Sequence, residues 1–457
     1  MYTLPNKLKL FAIIFMVVGA IGMISGFYSA PKTIEDVEKI MASHDDGHGG
    51  ETADVMDEGQ SNDTHGDTKE AHGDNKGEAA HGSVLEHKEH VLQQLQNRPW
   101  SALYIASFFF FMIALGTLAF YAIQHASQAG WSPVLFRVME GITAYLPVAS
   151  VIILVLLGIS AMHYNHIFHW MDPDLVEKGN EHYDKLIAGK SGWLNTKGLM
   201  IRAIIYLLGY NVYRYLSRKW LRNQDNASDN RWFKKNFKLS AGFLVFFIYT
   251  ESMMSWDWLM SFDPHWFSTL YGWYVFAGMM VCAMTVIALI SIFLKSQGHL
   301  KFVNNSHIHD LAKYMFAFSI FWTYLWFSQF MLIWYANIPE EVTYFVTRIE
   351  DYNLPFFGMV AMNFVFPVLL LMNSDYKRVN WFVVMAGIVI LAGHYIDVFN
   401  MVMPATVGDS WYIGVPEIGS LMFFFGLFVL VVFTALTKAP LLAERNPFME
   451  ESKHFHY

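Results

Sequence analysis

The sequence predicts an all-α integral membrane protein of about ten transmembrane helices, and three observations carry that reading. Of 457 residues, 54% are hydrophobic and only 15% charged, where soluble domains average about 25% charged. Several apolar runs exceed the roughly 18 residues that mark a membrane span. Lysines and arginines gather in alternate loops, as the cytoplasmic loops of a multi-pass protein require.

The first span follows Lys7 and Lys9 and runs from Leu10 to Phe27, with Gly19, Gly22 and Gly26 along it. No A-x-A-like cleavage site follows, so residues 1–30 read as an anchor rather than a removed signal peptide. Its small residues predict close packing against another helix.

Residues 31–99 hold no membrane-length apolar run and read as a periplasmic, acidic, His-rich loop. Between residues 44 and 90 there are 13 Asp or Glu, 3 Lys and seven histidines, and a His-Gly theme recurs at His65, His72 and His81. The net charge of −8 therefore belongs to this loop, and the remaining 28 basic and 26 acidic residues nearly balance. Nothing in that balance points to nucleic acid. Such a tract can hold divalent metal weakly, but its composition cannot build a core, so disorder is the expectation. Val84 to Gln96 reads as a short amphipathic helix ending before Arg98-Pro99-Trp100.

Nine further spans make a membrane domain over 100–437: 101–125, 142–163, 198–216, 239–260, 271–294, 313–336, 354–373, 381–401 and 417–437. Loop 214–238 has eight basic and two acidic residues, and loops 295–313 and 374–380 are also basic. Loops 261–270 and 402–416 carry no Lys or Arg, while loop 164–197 mixes four lysines with five acids. This pattern puts both termini, and the tail 438–457, in the cytoplasm. The single cysteine, Cys282, sits in an apolar run, so neither a disulfide nor thiolate cluster ligation is available within the chain. Paired in-membrane histidines for haem are missing too.

The ionisable residues at membrane depth lie toward the periplasmic side. Glu251 is nine residues from the exit of its helix, roughly 13 Å deep. Asp257 is three residues from that exit. Arg202 lies one turn below the same surface, and Gly393-His394-Tyr395-Ile396-Asp397 sets His394 and Asp397 at i and i+3 on neighbouring faces. His163, His166 and His169 end the third span at that surface, and the turn Ser261-Phe262-Asp263-Pro264-His265-Trp266 closes the fifth. The inner half offers Glu140, Asn211 and, near the middle, Asn363. Intramembrane charge costs roughly 2.5–3.5 kcal/mol per residue on insertion scales, so it marks function or a tie between helices. The ties available are Arg202 with a carboxylate and His394 with Asp397. Trp256, Trp258, Trp266 and Trp273 match an aromatic belt. Pro147 and Pro367 are the only prolines expected inside spans.

The stretch TESMMSWDWLMSFDPHWFSTLYGWYVFAG at 250–278, with the GHYID segment at 393–397 and the ten-helix plan, resembles one of the two related integral membrane subunits of bacterial alternative complex III. That complex is a quinol:cytochrome c oxidoreductase, and both membrane subunits are relatives of the NrfD/polysulfide-reductase family. The resemblance implies two four-helix bundles, helices 2–5 and 6–9, flanked by helices 1 and 10. It implies a bacterial inner-membrane location, and partners comprising an NrfD-like sister subunit, a multihaem cytochrome c and an iron–sulfur subunit. Haem c and iron–sulfur clusters would reside in those partners, and this chain would carry no covalently bound cofactor and at most a quinone or quinol. Glu251, Asp257, His394, Asp397, Arg202 and Tyr395 are the candidates for proton transfer or for facing the quinone, with His163, Asp263 and His265 at the periplasmic rim. A secondary ion transporter and an inert membrane scaffold are the competing readings.

Overall fold

The computed structural model describes residues 2–38 and 75–456, with side chains from Lys88 onward in the second stretch. Among them every regular element is helical, and nine helices are long and apolar enough to cross a membrane. The chain is an all-α protein with the make-up of a multi-pass membrane protein. In order the main helices are α1 (Asn6–Ser29), α2 (Asn75–Ala126), α3 (Phe136–Thr143) running into α4 (Leu146–Ala161), α5 (Thr196–Asp225) and α6 (Arg231–Trp258). Then come α7 (Tyr271–Ser296), α8 (Asn305–Ala336), α9 (Pro339–Glu350), α10 (Asn353–Leu371), α11 (Asn380–Val407) and α12 (Val415–Leu436).

Each expected span has a helix, but one does not qualify as a span on composition. α5 covers the predicted 198–216 and carries Lys197, Arg202, Arg214, Arg218, Lys219, Arg222 and Asp225, so its apolar stretch is short. The predicted break at Arg98-Pro99-Trp100 is absent: α2 is one helix of 52 residues running through Pro99. A proline removes one ladder bond, and tertiary bonds hold this turn in line. Asn97 accepts from the His166 N–H at 3.0 Å and donates to the His166 carbonyl, while Arg98 reaches Glu417. The histidine-rich tract before residue 75 lies outside the described residues. α11 continues past the predicted 401 to Val407 with Pro404 inside it, so the in-helix prolines are not limited to two.

α2 and α7 form the centre: 94% and 89% of their most apolar stretches are buried, against 17% for α1. α1 lies along α12, and its glycines explain the fit. A Cβ on Gly19 would fall 2.3 Å from the Phe423 backbone nitrogen, and one on Gly22 2.9 Å from the Gly419 Cα. α4 and α6 pack on α2, and α5 packs on α4 and α6, while α8 and α11 pack on α7 and α10 packs on α8 and α11. The tryptophans predicted as a belt divide. Trp273 is exposed, but Trp258 and Trp266 are core residues, with Trp258 against Phe111 and Tyr206.

Candidate functional site

Asp397 is the most densely served carboxylate in the inner core of α7, α8 and α11. Tyr274 of α7 donates its hydroxyl to Oδ1, and Trp322 of α8 donates Nε1 to Oδ2 at 2.9 Å. His394, one turn earlier on α11, brings Nδ1 to 3.3 Å from Oδ2. The histidine is fully buried, stands edge-on to Trp322, and its Nε2 has no hydrogen-bond partner among the described residues. No Lys or Arg among those residues is paired with Asp397.

The backbone beside this pair is unusual. α10 contains a π-helical turn, Ala361–Val365, and such turns often sit at functional sites. It pushes Asn363, fully buried and with neither amide atom hydrogen-bonded, against Gly393. A Cβ on Gly393 would lie 2.1 Å from the Asn363 side-chain oxygen. Glycine before His394 is therefore what lets α10 approach.

Beside Asp397 a small cavity of about 20 Å³ is lined by Tyr271, Tyr344, Arg348 and Asn400. That is room for about one water. Arg348 and Tyr344 come from α9, a helix the sequence did not predict. Arg348 donates Nε to the Asn400 carbonyl, lies over the Tyr344 ring at 3.3 Å, and leaves one terminal nitrogen unpartnered.

The other acids do not join this cavity. Asp257 is fully buried and saturated: Arg202 donates Nε and Nη2 at 2.7 and 2.8 Å, Trp193 donates at 2.9 Å and Tyr206 at 3.1 Å. Glu251 is 3% exposed, and its carboxylate takes only the hydroxyls of Ser255 at 3.1 Å and Ser252 at 3.5 Å. So Glu251, Asp257 and the His394–Asp397 pair occupy three separate environments.

Tyr395 points away from Asp397. It helps wall a cleft of about 600 Å³ between α1, α2, α7, α11 and α12, lined almost wholly by Phe, Leu and Ile. Its hydroxyl reaches the Glu417 carbonyl at 3.4 Å. The Glu417 carboxylate is already held by Arg98, with two contacts of 2.9 Å, and by the Gly414 N–H.

The rim residues do come together. His163, Asp263 and His265 line a polar cavity of about 300 Å³ with His90, His166 and Asp172. His163 ends its helix with φ of 60°, a left-handed turn that non-glycine residues seldom adopt. His265 contacts Asp184 at 2.6 Å. Burial pushes the Asp184 carboxyl up, but hydrogen bonds from His265, Ile187 and Leu186 win and hold it below its ordinary value. His169, beside them, is pushed down by burial. No group of three or more His, Cys, Asp or Glu able to hold a metal occurs among the described residues.

Tyr274, Trp322, Arg348 and Glu417 were not foreseen from the sequence. The fold and these sites define a helical membrane protein with buried acid–base groups. Compared with protein-family models and with curated proteins, the chain matches none.

Proposed function

We propose that the chain is a non-haem integral membrane subunit of a respiratory quinol:cytochrome c oxidoreductase of the alternative complex III type. It would sit in a bacterial inner membrane with both termini cytoplasmic, its helices grouped in two four-helix bundles flanked by α1 and α12. Haem c and iron–sulfur clusters belong, on this reading, to partner subunits, beside an NrfD-like sister. The resemblance of residues 250–278 supports the family. The observation that carries the function is the buried His394–Asp397 pair, with one imidazole nitrogen unmade and no cation among the described residues to lock the carboxylate.

A saturated ion pair holds helices together and has no site left for an arriving proton. His394 and Asp397 do have such sites. Tyr274 and Trp322 fix the carboxylate while His394 Nε2 stands ready to give or take a proton, the general acid–base role that buried histidine suits. The cavity past Tyr344 and Arg348 supplies the outward step. The apolar cleft fits a ring-and-tail ligand such as a quinone, with the Tyr395 hydroxyl as a donor in its wall. When bound, a quinol supplies two electrons and two protons. The chain's own residues then shape the cleft, exclude water from it and move protons through Asp397.

A second reading, a proton or ion transporter, draws on the π-helical turn of α10 beside His394, because transporters break helices near their binding sites. Purification of the tagged chain from native membranes separates the two. Co-purifying multihaem cytochrome and quinol oxidation that drops in the Asp397→Asn variant are expected. A chain that purifies alone and drives ion flux in vesicles would replace the respiratory reading with the transporter.

A further inference from the structure

At the opposite end of the molecule from these acids lies an arginine cluster with no part in the proton path. Arg214, Arg218 and Arg222 repeat every four residues on the last turns of α5, so they share one face. None makes a hydrogen bond or ion pair with the described residues, yet the Nε of each is buried. Beside them Arg137 donates to Glu140 at 2.7 Å and to Asp225, and its own Nε is also unmade. Arg214 and Arg222 are both within electrostatic reach of Arg218 and Glu140. Four guanidiniums thus face two buried or half-buried carboxylates, with a third, the exposed Glu444, at the edge.

Buried donors without acceptors are costly, and a surplus of positive charge adds to the cost. The remedy is an anion. Arg137, Glu140, Arg218 and Arg222 open onto a notch walled by Leu436 and Pro440 at the end of α12. The notch holds only about 10 Å³, room for one oxygen-sized group, so an anionic group would seat on its mouth. On the same helix, within about three turns of Arg218, Leu208, Val212 and Tyr215 are exposed at 59%, 54% and 62%. Acyl chains need such a surface, and a free anion does not.

We infer that Arg214, Arg218 and Arg222, with Arg137 behind them, form a site for the phosphate of an anionic phospholipid in the leaflet bordering the basic loops. Guanidinium matches phosphate by paired hydrogen bonds, and basic pockets between membrane helices on the cytoplasmic side bind such headgroups. The site rests on the chain's spanning a membrane and not on its respiratory role.

The test uses the full chain purified from native membranes with its accompanying subunits. Cardiolipin, phosphatidylglycerol, phosphatidylcholine and inorganic phosphate are titrated while bound lipid is counted by native mass spectrometry. The anionic lipids should bind at least tenfold more tightly than phosphatidylcholine. The triple variant R214Q/R218Q/R222Q should lose at least tenfold of that affinity, and R218K, which keeps the charge but not the paired donors, should lose less than R218Q. R218Q alone should weaken binding severalfold, which keeps the test intact should the triple variant fail to fold. Displacement of the lipid by millimolar inorganic phosphate would assign the site to a soluble phosphate and overturn the lipid assignment. Equal binding by R218Q and parent, no preference for anionic lipid, or protection of the arginines only by an accompanying acidic subunit would each overturn the site.

Discussion

Asp257 and Asp397 are both buried aspartates near the same end of the molecule, and their surroundings are opposite. Asp257 meets a bidentate Arg202, Trp193 and Tyr206, so every lone pair has a donor and the charge has a counter-charge. Asp397 meets a tyrosine, a tryptophan and a histidine with a nitrogen to spare, and no permanent cation among the described residues. The first arrangement fills the carboxylate's acceptor sites and ties α5 to α6. The second leaves the proton's position to be decided by whatever approaches His394. Burial alone therefore does not separate a tie from a candidate proton site; the identity of the partner does.

The largest expected effect comes from breaking the tie. Arg202→Leu leaves the Asp257 carboxylate buried without its cation, which costs on the order of 3 kcal/mol. A thermal melt in detergent should fall sharply and folded yield with it. Adding Asp257→Asn should recover part of the loss, and a strictly additive double variant would show that the two side chains are not coupled. Asp397→Asn should behave the other way round. Its shape is kept and no cation is orphaned, so the melt should move by about 1 kcal/mol or less. Turnover should fall by about a hundredfold, the usual scale for losing a general acid–base group. A variant that melts early but still turns over would make Asp397 another tie.

Glu251 falls between the two and sharpens the contrast. Its partners are the hydroxyls of Ser252 and Ser255, which serve a carboxamide as well as a carboxylate. It lies outside the cavity that holds Asp397. Glu251→Gln should leave the melt within about 1 kcal/mol and turnover within about twofold. A drop in turnover comparable with that of Asp397→Asn would extend the proton path through α6.

Helix positions were legible because long apolar runs bounded by basic loops leave little choice of structure, and all ten expected spans have a helix. The Arg202–carboxylate tie and the His394–Asp397 contact were legible too, since charge at membrane depth must be answered by something near in space. Tyr274 and Trp322 were not, because inside an apolar run an aromatic residue that donates a hydrogen bond looks like one that merely packs. α9 could have been found: Pro339 opens it, Glu340 and Glu341 occupy its first turn and Arg348 its last, the usual boundary signals. The π-helical turn that sets Asn363 on Gly393 has no signature in the sequence. The continuity of α2 depends on bonds from Asn97 and Arg98 to residues far along the chain, which local reading of Pro99 misses.

The smallest effect belongs to the rim, where charge meets water instead of the membrane core. Asp184 caps a short helix, accepting from the Leu186 and Ile187 N–H groups, and contacts His265. Its carboxyl is held below the ordinary value, so the pair and cap contribute stability that is present above the unfolded carboxyl pKa of about 3.9. That contribution disappears as pH falls through the lower folded value. His265 is 44% exposed, so solvent screens the pair and His265→Ala should cost only a few tenths of a kcal/mol near neutral pH. Melts of parent and variant should converge as the pH is lowered well below the unfolded carboxyl pKa of about 3.9, because protonation of Asp184 removes the interaction that the substitution deletes. Curves that stay parallel throughout would show that His265 acts through packing and that its contact with Asp184 carries no charge-dependent stability.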